Sequence, residues 1–282
     1  MCAMISTFES NSAYTPGSSR MPAELTSIKN PLLKDVRRAI SRGGLTSDGF
    51  CIAETFHLLE EALRSDCKID IVIAAESVRP TVERRIGRLN SIHIVTVPDT
   101  VYAQVSATES GQGVMALVKP PAWHLDQLLR GNTMVMVLDG IQDPGNAGAI
   151  LRAGEAFGAT GIIFVKGAVN PYNPKAIRAS AGSVFRIPLV EGLDAALAIA
   201  ALEQRKVSLY AAMPQAEMSL LDTDLKRRCA FIIGSEGRGV SARLQAAAGK
   251  IRIPTSEVES LNAAVAAGIL MYESWRQRTQ SS

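Results

Sequence analysis

The sequence predicts an α/β protein with two domains. Short apolar segments alternate with segments of helical periodicity between residues 23 and 118, and the alternation starts again at residue 133. This alternation is typical of α/β folds. In the second region the predicted strands over 135–138 and 231–233 are almost wholly apolar, which indicates a parallel sheet covered on both faces. A chain of 282 residues with 47% hydrophobic content is long enough to build two cores.

The first domain is predicted over residues 23–119. Residues 1–22 are rich in Ser, Thr, Asn and Gly; they lack the basic and apolar regions of a secretion signal and are expected to form a disordered tail. The predicted elements of the domain are, in order, helices over 25–42 and 53–64, a strand over 69–74, a helix over 81–89, and strands over 92–97 and 113–118. The first helix carries five basic residues and one acidic residue.

The second domain is predicted over residues 133–282, after a proline-containing linker over 120–132. Its strands are predicted at 133–138, 161–165, 208–212, 229–233 and 250–253. Its helices are predicted at 147–157, 173–181, 192–204, 240–248 and 260–278. Each strand is short and is followed by a polar or glycine-containing loop, so the loops are the expected place for a ligand site.

Composition excludes several classes of function. The net charge is only +3, so any nucleic-acid binding must come from local basic patches. Four cysteines without CxxC spacing favour a reduced, cytoplasmic protein, and no apolar run is long enough to span a membrane. The three histidines, His57, His93 and His124, all precede residue 130. The second domain therefore lacks a Ser-His-Asp triad and the usual zinc ligands, and no metal is expected.

Three segments of the second domain combine glycines with polar residues directly after an apolar strand. They span residues 139–152, 233–239 and 253–264. The first is not a Rossmann dinucleotide site, because its glycines do not follow G-x-G-x-x-G and the next strand ends in Lys166 rather than an acidic residue. The second is not a nucleophile elbow, because Ser235 directly follows a glycine.

Each segment also has a simpler structural interpretation. Asn146 and Ser260 suit helix N-caps, and the glycines around Glu236 suit a plain turn between a strand and a helix. Arg152 fits less well, because it lies among apolar residues of a predicted helix, and we expect it to be shielded from solvent and favoured where a phosphate or ribose is bound. The small residues after Asn262 indicate a close neighbour.

Together, the three segments resemble motifs 1, 2 and 3 of the SpoU (TrmH) family of RNA ribose 2'-O-methyltransferases, in the order and spacing of that family. The resemblance covers residues 133–273. It implies a C-terminal parallel-sheet domain with a deep trefoil knot of the SPOUT type, and such knots are rare exceptions to the usual rules of chain connection. It also implies S-adenosylmethionine as cofactor, bound bent in the knot, and a homodimer formed through helices of the knotted region.

The same resemblance assigns site residues. The cofactor-binding positions implied are Gly234, Glu236, Gly237, Ile253, Pro254 and Leu261. The polar residues of the active site implied are Asn146, Arg152, Glu236, Ser260 and Asn262. All of them are present in this chain, so an active enzyme is expected.

Residues 170–182 also resemble the family, in a P-x-x-P-K-x-x-R-A-S pattern. Lys175 and Arg178 of this pattern are expected to contact RNA phosphates. The alternative is a turn followed by a helix that starts near Pro174.

The first domain resembles, more loosely, the ribosomal-protein-like RNA-binding domain of this family, on the basis of residues 28–34 and 49–54. Family members usually have a glycine where this chain has Thr55, and this departure weakens the predicted RNA contact there. Three basic residues of the first helix are expected to bind RNA, with a solvated basic face as the alternative. They are Lys34, Arg37 and Arg38.

The implied activity is methylation of a ribose 2'-hydroxyl, a group that marks RNA rather than DNA as the substrate. Large-subunit ribosomal RNA is the first expectation and transfer RNA the second. A methyltransferase acting on an RNA base, and a non-catalytic RNA-binding or ribosome-assembly factor, remain alternatives. We expect Arg152 to bind a phosphate and stabilise the developing alkoxide, since a guanidinium is very hard to deprotonate.

Overall fold

Two β-sheets, one mixed and one parallel, organise the residues that the structure describes, which are 23–87, 91–108 and 111–280. The structure is a computed structural model. The predicted N-terminal tail and the end of the helix predicted over 81–89 lie outside the described residues. None of the helices in the described ranges is long and apolar enough to cross a membrane.

The N-terminal sheet has four strands in the part of the chain that is described. They are β1 Cys51–Glu54, β2 Ile69–Ala75, β3 His93–Val97 and β4 Val114–Val118. Their order is β1-β4-β2-β3, in which β4 runs antiparallel to both neighbours while β2 and β3 are parallel. The helices around this sheet are α1 Pro31–Arg42, α2 Phe56–Arg64, α3 Arg79–Ile86 and α4 Asp99–Val105.

Two predicted helix starts in this domain are wrong. The first helix begins at Pro31 rather than at residue 25, because the side chain of Asn30 accepts a hydrogen bond from the Leu32 amide at 2.9 Å and caps it there. The second helix begins at Phe56, and residues 51–54 form the fully buried strand β1. Short apolar runs do not distinguish a buried strand from a helix. Helix α4 was not predicted.

The C-terminal sheet has seven strands within residues 111–280, and every pair of neighbours is parallel. The strands are β5 Met134–Asp139, β6 Gly161–Val165, β7 Leu189–Leu193, β8 Ser208–Ala212, β9 Met218–Ser219, β10 Cys229–Gly234 and β11 Gly249–Arg252. Their order is β7-β6-β5-β10-β8-β11-β9. The parallel sheet predicted from apolar strands is therefore confirmed.

Helices connect these strands and cover the sheet. They are α5 Leu125–Leu128, which lies in the predicted linker, α6 Pro144–Ala156, α7 Pro174–Ser180, α8 Ala195–Gln204, α9 Ala242–Ala247 and α10 Ala263–Thr279. Strands β7 and β9 were not predicted; β7 carries Glu191 and Gly192 in its middle, so it lacks a continuous apolar pattern. The cores of the two sheets are continuous, because Leu59 of α2 and Ile177 of α7 belong to one buried cluster.

Candidate active site

The three motif segments leave strands of the parallel sheet at the same edge. Strands β5 and β10 are neighbours, and their last residues, Asp139 and Gly234, are paired in register. Strand β11 lies beyond β8 on the other side of β10. Because the carboxyl ends of parallel strands meet at one edge, the loops after β5, β10 and β11 are brought together there.

Asn146 joins all three segments through its side chain. Its Nδ2 donates a hydrogen bond to Oε1 of Glu236, and its Oδ1 accepts one from Nδ2 of Asn262 at 3.0 Å. Asn262 also caps α10, since its Oδ1 accepts from the amides of Ala264 and Val265 at 2.9 and 3.3 Å. The structure brings these three polar residues together, with Asn146 at the centre of the hydrogen-bonded group.

Both N-cap interpretations offered by the sequence are wrong. The cap of α6 is Asp143, whose Oδ2 accepts from the Asn146 amide at 3.0 Å, so Asn146 lies inside the first turn. The cap of α10 is Asn262, and Ser260 lies before the helix. Each side chain is thereby available for another role at the sheet edge.

The loop after β10 is held in a tight conformation that only glycine permits. A Cβ on Gly234 would lie 2.0 Å from the carbonyl carbon of Gly239 and 2.2 Å from the amide nitrogen of Val240. The amide of Gly239 donates to the carbonyl of Ser235 at 2.8 Å and closes the loop. Because both neighbours of the missing Cβ are backbone atoms, no side-chain rotation relieves the contact.

A cleft opens beside this loop, between the carboxyl ends of β8, β10 and β11 and the start of α10. Its lining consists of Ala212, Met213, Pro214, Ile233, Gly234, Ser235, Glu236, Gly239, Ile251, Ile253, Thr255, Glu259, Ser260, Leu261, Ala263 and Ala266. Four predicted cofactor positions, Gly234, Glu236, Ile253 and Leu261, are among them, whereas Gly237 and Pro254 are not. Sequence reasoning missed residues 212–214, although they comprise the last residue of a predicted strand and the start of the loop after it.

The chemistry of the cleft favours a ligand that combines apolar surface with a positive charge. Most of the lining is aliphatic, and the charged side chains within it are Glu236 and Glu259, with no Lys, Arg or His among the lining residues. Carboxylates attract a cation and repel a phosphate at short range, so a diphosphate-containing cofactor is disfavoured. The sulfonium and the adenosine of S-adenosylmethionine fit this donor set.

Arg152 lies on α6, the helix that also carries Asn146, but its side chain is exposed to solvent. The expectation that its apolar neighbours shield it is therefore wrong. Among the described residues, none forms a hydrogen bond or an ion pair with its guanidinium. The group is free to bind an anion from solution.

The basic residues predicted to contact RNA fall into two environments. Lys34, Arg37 and Arg38 are all exposed on α1. Lys175 is exposed at the edge of the site, and its Nζ lies 3.1 Å from Oδ1 of Asp143; this hydrogen bond holds the pKa of the Asp143 carboxyl below its usual range.

Arg178 differs from the other predicted RNA contacts, because the structure directs it into the protein. Its Nη1 is buried and lies 3.8 Å from Oε2 of Glu54 in the N-terminal domain. Its contact with RNA stays a prediction. In the described ranges, no group of three or more His, Cys, Asp or Glu side chains is arranged to hold a metal ion.

The fold and the site define an α/β enzyme whose strand ends bind a nucleoside-type cofactor. Residues 133–272 match the SpoU rRNA Methylase family, and residues 30–116 match the MRM3-like substrate binding domain. The chain belongs to the SpoU rRNA methylase family. It is an S-adenosylmethionine-dependent RNA 2'-O-methyltransferase, as the three motif segments indicated.

Relatives extend the similarity over both domains. The chain is 33% identical over 269 residues to the uncharacterized tRNA/rRNA methyltransferase slr1673 of Synechocystis sp., covering 92% of this chain and 96% of that protein. It is 28% identical over 251 residues to the 23S rRNA (guanosine(2553)-2'-O)-methyltransferase RlmP of Bacillus subtilis, covering 88% and 98%. The AdoMet-bound rRNA methyltransferase of Sinorhizobium meliloti superposes with a TM-score of 0.78 at 28% identity, covering 90% and 97%.

Proposed function

We propose that this enzyme methylates the ribose 2'-hydroxyl of a guanosine in 23S ribosomal RNA. The observation that carries the proposal is the similarity to RlmP, which spans 88% of the chain and therefore includes the N-terminal domain as well as the catalytic one. A substrate-binding domain decides which RNA is delivered to the site, so similarity over both domains supports the same substrate class. We also propose that the enzyme acts in the cytoplasm.

We propose a division of labour between residues 23–119, which bind the RNA, and residues 133–282, which bind the cofactor and hold the reacting ribose. The exposed basic residues of α1 support the first assignment, and the cleft at the strand ends supports the second. The sheet order, in which β10 is inserted between β5 and β8 although it follows both in the chain, supports a knotted path.

We also propose that the enzyme acts as a homodimer through α10 and the end of α6. Phe157, Tyr272 and Trp275 form a ring cluster with centroids 5.6 to 6.4 Å apart. Tyr272 and Trp275 remain 46% and 41% exposed, and Val265 on the same helix is 51% exposed. An exposed cluster of large apolar side chains is typical of a protein interface.

The residues at the sheet edge have distinct proposed roles. When bound, S-adenosylmethionine supplies the methyl group together with its leaving group, so the protein mainly has to position the hydroxyl. Arg152 binds the phosphate beside the target ribose and stabilises negative charge on the 2'-oxygen. Asn146 and Asn262 hold the loops in register, Glu236 orders the loop after β10, and Ser260 hydrogen-bonds the ribose.

The test is methyl transfer from labelled S-adenosylmethionine to unmodified 23S rRNA and, in parallel, to transfer RNA, followed by nucleoside analysis. Label in 2'-O-methylguanosine of 23S rRNA supports the proposal. Label in transfer RNA, or on a base, replaces the proposed substrate. Cofactor binding without transfer to either RNA favours a non-catalytic assembly factor.

The role of Arg152 is tested by Arg152→Ala, with Arg243→Ala as the matched control, because Arg243 is also exposed but lies on α9 and not on α6, the helix that carries Asn146. Loss of an electrostatic contact to the reacting oxygen typically costs about 100-fold or more in rate. We expect that loss for Arg152→Ala in single-turnover transfer, with cofactor affinity preserved. Near-normal transfer by Arg152→Ala would refute the role.

A further inference from the structure

Arg186 connects the catalytic helix α6 to the N-terminal domain. Its Nε and Nη2 donate to the two carboxylate oxygens of Glu155 on α6, the second at 3.0 Å. Its Nη1 donates to Oε2 of Glu61 on α2 at 2.6 Å, and lies 3.3 Å from Oγ of Ser65. One guanidinium therefore bridges both domains, with bidentate geometry on the catalytic side.

The bridge is charged and partly buried. Glu61 is 7% exposed, and Arg186 is half-buried. The hydrogen bond from Arg186 lowers the pKa of the Glu155 carboxyl, and the same contact raises the pKa of Arg186. Both groups are thus ionised at neutral pH. The side chains of Arg186 and Glu155 are each 34% exposed, and Glu61 also accepts from Nη2 of Arg64, so the bridge is part of a partly buried network of charges.

The backbone of the C-terminal domain also packs closely against the N-terminal domain beside this bridge. Gly182 has a φ of +91°, and a Cβ placed on it would lie 2.6 Å from Cβ of Glu61. Beside it, Arg178 of α7 reaches to within 3.8 Å of Glu54, a carboxylate that also accepts from the Ala107 amide at 3.1 Å. We call Glu54, Glu61, Arg178, Gly182 and Arg186 the domain seam.

The seam acts on the helix that carries the site. Glu155 follows Arg152 by three residues on α6, and Asn146 lies in the first turn of the same helix. Arg186 is therefore one contact between α6 and the N-terminal domain, in addition to the buried cluster that joins the two sheets. A misplacement of about 1 Å between reacting groups is sufficient to lower a rate by about 100-fold.

We propose that Arg186 is a positioning residue for methyl transfer: it sets the RNA captured by the N-terminal domain in register with the ribose-methylating site on α6. The inference rests on the proposed function, since it requires that residues 23–119 bind the RNA. Arg186 does not line the cleft at the strand ends. Its loss therefore acts on the rate of transfer rather than on either binding step.

The variants Glu61→Gln and Glu155→Gln each remove one carboxylate charge of the bridge without changing the side-chain volume. The matched control is Glu60→Gln, because Glu60 neighbours Glu61 on α2 but is 44% exposed and pairs with Arg85. We expect single-turnover transfer to fall about 10- to 100-fold in both bridge variants. Dissociation constants for 23S rRNA and for S-adenosylmethionine, and transfer by the control, are expected to stay within about two-fold of the wild type.

Two further measurements separate positioning from simple loss of structure. Arg186→Met combined with Glu61→Gln is expected to be no slower than Arg186→Met alone, because residues of one contact are not additive. The distance distribution between spin labels on the two domains, measured by pulsed electron resonance, is expected to broaden in Glu61→Gln and not in Glu60→Gln.

The proposal is overturned if the bridge variants transfer methyl groups at the wild-type rate, if lost RNA or cofactor affinity accounts for the whole effect, or if the distance distribution is unchanged. An inactive wild-type enzyme refutes the proposed function instead, and the spin-label distances still decide whether Arg186 fixes the two domains. The two failures are therefore distinguishable.

Discussion

Asn146→Ala is the perturbation that most directly tests how the three motif segments cooperate. The change removes the hydrogen bond to Glu236 and the one from Asn262 Nδ2, while the cap of α6 is retained because Asp143 provides it. A hydrogen bond to a charged group contributes about 1.5–3 kcal/mol, and one between neutral groups about 0.5–1.5 kcal/mol. Glu236 and Asn262 are exposed, so each hydrogen bond is expected to contribute the lower value of its range. The two together contribute about 2 kcal/mol, which the variant loses.

At about 1.4 kcal/mol for each factor of ten, this loss corresponds to about a 30-fold effect. We expect the affinity for S-adenosylmethionine, measured by calorimetry, to fall by this factor, because Glu236 lines the cleft and loses the hydrogen bond from Asn146 that holds its side chain. Asn262→Asp is the companion variant, since it keeps the oxygen that caps α10 but removes the donor to Asn146. Its effect on affinity is expected to overlap with that of Asn146→Ala rather than add to it.

Asn132→Ala is the matched control, because Asn132 also makes a side-chain hydrogen bond, to the carbonyl of Lys226 at 3.0 Å, but Lys226, unlike Glu236, does not line the cleft. The Asn132→Ala variant should bind the cofactor with the same affinity as the wild type. If Asn146→Ala binds the cofactor within about two-fold of the wild type, the side-chain network does not hold the loop after β10 and the reasoning is refuted.

Three other predictions concern packing, acid stability and thiol reactivity. Gly234→Ala forces a Cβ against backbone and should lower the unfolding free energy by about 1–3 kcal/mol in urea melts. Gly237→Ala should not, because nothing lies within 4 Å of its added Cβ; equal losses would contradict this. Arg186 lowers the pKa of the Glu155 carboxyl, so the ion pair stabilises the fold above the ordinary Glu pKa of about 4.3 and this stability is lost as pH falls through the lower, folded-state value. Wild-type stability should therefore decrease more steeply than that of Glu155→Gln in acid urea melts. Burial raises the pKa of the Cys67 thiol to about 11, so at pH 8 only about one thiol in a thousand is ionised, and mass spectrometry should find slow alkylation of Cys67 unless the protein is first unfolded.

The parts of the fold that the sequence predicts well are those with a strong local pattern. Strands β5 and β10 were expected at 133–138 and 229–233, and they lie at Met134–Asp139 and Cys229–Gly234, because each is a continuous apolar run in the centre of the sheet. Strand β1 was mistaken for the start of a helix. Its identity depends on antiparallel pairing with β4, a partner more than 60 residues away in the chain.

For the site, too, the sequence predicts the local segments but not the contacts between residues far apart in the chain. The motif segments are recognisable one by one, but the bond from Asn146 to Glu236 crosses 90 residues and the bond from Asn262 crosses 116. No periodicity in the sequence encodes such a pair. Arg186 is harder still, because it lies in a short run without helical or strand pattern and its partner Glu61 is 125 residues away. Only the packing of α2 against the segment after α7 reveals it.

The prediction of Arg152 as a site residue rests partly on a structural reason that the structure contradicts. Its neighbours Ile150, Leu151 and Gly154 are buried while Arg152 is exposed, because adjacent positions on a helix do not share a face. Lys175 and Arg152 differ in whether their positive charge already has a partner. Lys175 is already paired with Asp143 at the sheet edge, whereas none of the described residues pairs with Arg152. An exposed guanidinium without a partner among the described residues is suited to an anion that arrives with the substrate, and an RNA phosphate is the anion that a ribose-modifying enzyme meets. We therefore propose Arg152, rather than the already paired Lys175, as the residue that binds this phosphate during the reaction.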